Sequence, residues 1–113
     1  MSLPESADWL SQLRRGVLEL CILRLLAREP NYGYEIVAAL AKHPTLASGE
    51  NTIYPLLRRL KHEGALESFT RDSPAGPPRQ YYRTTKDGER RLRELEADWK
   101  AMSTDVTQFL KGA

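Results

Sequence analysis

The 113-residue chain has one cysteine, Cys21, and two histidines, His43 and His62. A single cysteine excludes an internal disulfide, and its place in the apolar stretch Val17–Leu26 points to a core thiol. The histidines lie in different segments, neither with a carboxylate or cysteine at ligand spacing. HExxH, paired CxxC, GxSxG and phosphate-loop patterns are all missing, so the residues that metal, nucleophilic or nucleotide chemistry needs are not grouped. No catalytic site, metal or cofactor is expected. Glu19 and Arg24 interrupt the longest apolar run, far short of the roughly 18 residues a membrane span requires. The opening MSLPESADWL has neither the basic nor the apolar region of a secretion signal. A soluble cytoplasmic chain without membrane association is the expectation.

Charge of one sign is scarce over most of the length. Residues 51–86 hold seven Lys/Arg against three Asp/Glu, whereas 1–50 and 87–113 each hold five against six. The positive excess therefore sits in the middle third. A local basic patch on a balanced chain suits an anionic polymer, although a solvated face has the same composition. Hydrophobic residues make up 41% of the chain, enough for a real core.

The pattern predicts a mainly α (α+β) fold. A first helix spans Leu10–Arg28, with an extension beginning near Pro4–Glu5. It is apolar on more than one side, which implies a second burial surface such as a partner subunit. Pro30 breaks it, and a second helix follows over Tyr32–Lys42 with Asn31 as N-cap. A third helix covers Thr52–His62, with Asn51 or Glu50 near the cap and Pro55 in the first turn. Ile53, Leu56, Leu57 and Leu60 face inward, leaving Arg58, Arg59, Lys61 and His62 outside. Strands over Leu66–Arg71 and Gln80–Thr84 are joined by a proline-rich turn, Asp72–Pro78. A last helix starts from Thr85 as N-cap and reaches Leu110. Its apolar residues Leu92, Leu95, Trp99, Met102, Val106 and Phe109 repeat at spacings of 3, 4, 3, 4 and 3. That narrow heptad seam favours pairing with another helix, while folding back on its own domain is the plainer alternative.

Helix, helix, turn, helix, hairpin, helix is the order of a winged helix-turn-helix followed by a long C-terminal dimerisation helix. Residues 1–86 form the first unit and 87–113 the second. An α-helix fits the major groove of double-stranded DNA, and a basic hairpin reaches the neighbouring backbone.

Three stretches carry a resemblance. Tyr32-Gly33-Tyr34-Glu35-Ile36, the run Thr52–Leu60 closed by Glu63-Gly64, and Gly76–Gly88 resemble successive motifs of PadR-like transcriptional regulators, in the family's order. Leu13–Glu19 fits as well. Asn51 stands where many relatives have glycine, and Thr84 where they have leucine. The resemblance implies a homodimeric transcription factor, usually a repressor of a palindromic operator, of the compact subgroup with one C-terminal helix.

Candidate DNA-binding residues are Tyr34, Thr52, Tyr54, Arg58, Arg59, Lys61, Arg71 and Arg79. Arg58 and Arg59 are the expected base readers, since arginine pairs readily with guanine, with a solvated role as the alternative. Tyr34 reads equally as a packing residue. Candidate dimer-interface residues are Leu13, Val17, Leu92, Leu95, Trp99, Met102, Val106 and Phe109. In similar multidrug-responsive regulators, a tryptophan at the position of Trp99 stacks on flat aromatic ligands. The resemblance thus makes Trp99, with Trp9, a candidate site for a small aromatic effector, beside the plainer reading of Trp99 as interface core. The competing function is a protein-interaction module that dimerises through its heptad helix without sequence-specific DNA binding.

Overall fold

The computed structural model describes residues 5–112. Among them four helices and one small sheet follow the expected order. Helix α1 spans Glu5–Arg28, strand β1 Asn31–Tyr32, α2 Gly33–Ala41 and α3 Glu50–His62. Strands β2 (Leu66–Ser73) and β3 (Gly76–Thr84) form the hairpin, and α4 runs over Lys86–Leu110. Pro4, the expected start of the helix extension, lies outside the described residues.

Three boundaries differ from expectation, each for a local reason. Asn31 does not cap α2: it lies in β1, paired with Tyr82, and its side chain accepts from the Tyr32 N–H. A two-residue strand is too short to leave a periodic signal. Helix α3 begins at Glu50, with Gly49 as its cap, so Pro55 falls in the second turn and not the first. There it removes the i→i−4 bond to the Asn51 carbonyl, at an exposed residue that water can satisfy. The expected linker Asp72–Pro78 is mostly strand, because β2 and β3 pair as far as Ser73 and Gly76. A register irregularity between Arg71 and Ser73 accommodates Pro77 and Pro78, which have no N–H to give a ladder. Thr85 does cap α4, accepting from the Gly88 N–H at 3.0 Å.

The core is one cluster in which α1 supplies Leu18, Ile22, Leu23 and Leu26, and α3 supplies Ile53, Leu57 and Leu60. Ile36 and Leu40 of α2, Leu66 and Tyr82 of the sheet, and Leu92 of α4 close it. Leu92 is 3% exposed within this chain's own core, so it is not available to a partner as the heptad seam suggested. Leu95 also packs against the core. The first turns of α4 thus belong to the globular part, and the boundary expected at residue 87 falls inside one continuous packing unit. Beyond them the seam is open, with Trp99 51%, Met102 64% and Phe109 74% exposed. Cys21 is half-buried, and burial raises its thiol pKa.

Candidate nucleic-acid interface

Helix α3 has a sharply divided surface. The residues that fix it to the core recur every three or four positions, which leaves Arg58 and Lys61 on the exposed side. Across from them stands β3, and the start of α2 closes the end. Tyr34, Tyr54, Arg58, Lys61 and Arg79 line one groove between these three elements, together with Tyr32, Gly33, Gln80 and Tyr82.

Gly33 shapes this groove. A Cβ at position 33 would lie 2.5 Å from Cε1 of Tyr54, so α2 and α3 meet here only because the side chain is missing. Burial, and secondarily the charge of Glu50, raises the Tyr54 pKa. Tyr82 is raised by burial, with Arg58 pulling the other way and Tyr54 adding to the rise. Both phenols therefore present O–H groups at neutral pH.

The basic residues of the middle third divide into two sets. Arg83 is paired with Glu67 at 2.7 Å, and Arg59 with Glu19 at 2.9 Å and Glu63 at 3.0 Å. Among the described residues, Arg58, Lys61, Arg71, Arg79 and Lys86 have no carboxylate within ion-pair distance, and the first four of these lie on α3 and the β2–β3 hairpin, the wing. Uncompensated charge on α3 thus faces uncompensated charge on the wing, across a groove.

The wing holds its arginines by stacking. On its outer face Phe69 lies opposite Tyr81 with ring centroids 5.7 Å apart, and Tyr32 tilts against Tyr81 at 5.3 Å. The Arg71 guanidinium lies 4.2 Å from the Tyr81 centroid, Arg79 4.6 Å from that of Tyr32, and Arg83 4.7 Å from that of Phe69. Such cation–π contacts contribute about 0.5–1 kcal/mol each at exposed sites, enough to bias long side chains toward one direction.

Arg59 departs most from its expected place. It points away from the groove into a closed ring of four charges with Glu19, Glu63 and Arg91. Arg91 Nη1 donates to Glu63 at 2.7 Å and to Glu19 at 3.2 Å. The hydrogen bonds that Arg59 donates to Glu19, then to Glu63, raise its pKa. Arg91, then Arg59, lowers that of Glu63. Thr52 also lies outside the groove, near the start of α3 and close to Arg15 and Ser48.

The aromatic ladder was missed in the sequence, although its signal was there: residues 67, 69, 71 and 79, 81, 83 alternate onto one sheet face. The Arg59–Glu63 pair was equally visible as an i, i+4 spacing.

A model of the transcriptional regulator PadR-like family matches residues 22–94, which include the whole groove. The chain belongs to the PadR-like family. A PadR family transcriptional regulator from Eggerthella lenta is similar in structure, with a TM-score of 0.82 and 42% identity over 93% of this chain and 91% of its own. A PadR-like regulator from Bacillus cereus is similar too, at TM-score 0.82 and 40% identity over 90% and 99% of the two chains. An uncharacterized protein of Lysinibacillus sphaericus is 32% identical over 104 residues, covering 90% of this chain and 95% of that protein. A PadR-like member with this fold is a winged-helix, DNA-binding transcriptional regulator. No helix among the described residues is long and apolar enough to cross a membrane.

Proposed function

We propose that this PadR-like chain works in the cytoplasm as a homodimeric repressor. Two copies of α3 enter successive major grooves of a palindromic operator, about one helical turn apart. The observation that carries the DNA-contact assignment is the groove in which Arg58 and Lys61 of α3 face Arg79 of the wing, without carboxylate partners among the described residues. Arg58 is the base reader in this reading; Lys61, Arg71 and Arg79 contact phosphates, and Tyr34 and Tyr54 offer hydroxyls to the backbone. Arg59 acts as a structural tie. Thr52 contacts phosphate from the start of α3.

The open apolar surface supports the dimer. Leu13 and Val17 of α1 line a trough with Trp99, and Met102, Val106 and Phe109 continue the exposed line along α4. Exposed apolar residues so aligned match the face a second copy would cover. A cavity of about 640 Å³ between α1, α2 and α4, lined by Leu20, Cys21, Leu25 and Trp99 among others, supports a flat aromatic effector that releases the operator. Trp9 is exposed and lies outside this cavity's lining, which favours Trp99 as the stacking residue.

Selection of bound fragments from genomic DNA tests the reading. The expected product is a palindrome with half-sites about one helical turn apart. Fragments without two-fold symmetry, or no enrichment at all, contradict it.

A further inference from the structure

The end of α3 and the start of α4 are joined by a continuous set of contacts. Thr85 Oγ1 donates to the Gly64 carbonyl at 2.6 Å, and the Thr85 N–H donates to Ala65 O at 3.1 Å. Gly88 lies so close to the Ala65 backbone that a Cβ there would overlap the carbonyl oxygen. One turn further along α4, Arg91 meets Glu63, the C-cap of α3, and Glu19 of α1. Arg59 closes the ring from α3 itself.

These contacts have different mechanical roles. The Thr85 and Gly88 contacts, with Leu92 and Leu95 packed on the core, seat the first turns of α4, and Arg24 of α1 pairs with Glu96 one turn beyond Arg91. Those contacts hold α4 to α1 and the core, whereas the charge ring ties it through side chains to α3 as well, and so bears on the angle between α4 and α3. The arm from Arg91 to Phe109 is about 27 Å at ~1.5 Å per residue, so a pivot of about 10° moves its far end by about 5 Å. That exceeds the ~3.4 Å spacing of adjacent base pairs.

We propose that Arg91 and Glu63 are positioning residues that set the angle between α4 and α3, and thereby the half-site spacing the dimer accepts. The inference rests on the homodimer reading. Neither residue lines the groove assigned to DNA. Arg91 reaches both carboxylates through one nitrogen, so a lysine ammonium can serve in its place.

The test uses the full chain and the selected operator, with half-sites moved apart or together by one and two base pairs. Affinity is measured for wild type, Arg91→Gln, Glu63→Gln and Arg91→Lys, and mass by light scattering. Wild type is expected to favour one spacing by tenfold or more. Both glutamine variants should remain dimers yet prefer that spacing by less than threefold, and Arg91→Lys should restore the preference. A role in stability alone would lower melting temperature and leave the spacing preference intact. Glutamine variants that keep the wild-type preference overturn the inference while the dimer stands. A wild-type monomer overturns the dimer reading itself.

Discussion

The Tyr54 ring lies against Gly33, where the first helix of the helix-turn-helix meets the second, and no other residue type fits at position 33 without displacing it. This contact holds α2 against α3 and forms the floor of the groove. It gives the YGYE pattern a physical meaning, since the glycine provides clearance for a phenol whose hydroxyl faces the same groove as Arg58.

Gly33→Ala should therefore destabilise the fold by about 1–3 kcal/mol, the usual range for forcing atoms into a packed site. It should also weaken DNA binding beyond what lost stability explains, because Tyr54 must move. Thermal unfolding and operator titration at a temperature where the variant is fully folded separate the two effects. A variant with unchanged melting temperature and affinity contradicts the contact's role.

Arg58 and Arg59 are neighbours in sequence with opposite roles, and the contrast is measurable. Arg58→Ala should cost about 1–3 kcal/mol on the cognate operator and less on a scrambled duplex, as expected for a base contact. Arg59→Ala should reduce affinity for both duplexes by a similar, smaller factor, through a loosened helix end. Equal discrimination loss in the two variants would return Arg59 to the groove.

Tyr81→Ala keeps every charge on the wing but removes the ring beneath Arg71 and beside Tyr32. Operator affinity should fall by about 1 kcal/mol, the size of one or two cation–π contacts. The slope of log affinity against log salt should stay the same, because no cation is lost. A changed slope would mean that Tyr81 does more than orient its neighbours.

Glu63 makes the charge ring sensitive to acid. Its folded-state pKa is depressed by Arg91 and Arg59. A depressed carboxyl contributes stability that is fully present above its unfolded value, about 4.3, and is lost as pH falls through the lower folded value. Melting temperature measured from neutral pH down to about pH 3 should fall less steeply below about pH 4 in Glu63→Gln than in wild type. Parallel curves contradict the ring's coupling.

Much of this fold was legible because its helices are long and their apolar spacing is regular. Thr85 announced the last helix through its own side chain. What was not legible depends on contacts between distant segments. Asn31 looks like a cap until Tyr82 arrives as a strand partner. Leu92 and Trp99 hold the same position in successive heptads, yet the first lies in the core and the second is exposed, because the globular part ends between them. Arg58 and Lys61 were named from residue type and helix face and Arg79 from its place on the hairpin, and the three line one groove. Glu19 is 40 residues from Arg59 in the chain, so the ring through it leaves no local signal.

In the proposed function, α3 and the wing hold DNA through cations that have no carboxylate partner among the described residues. Its most direct test is the salt dependence of operator binding for wild type and for the triple variant Arg58→Ala, Lys61→Ala, Arg79→Ala. Each phosphate contact contributes about 0.9 to the slope per subunit engaged. Lys61 and Arg79 are the phosphate contacts removed, so the slope of the triple variant should be shallower by about 1.8 per subunit, or about 3.6 for a dimer with both subunits bound. A slope indistinguishable from wild type would place the DNA on another surface.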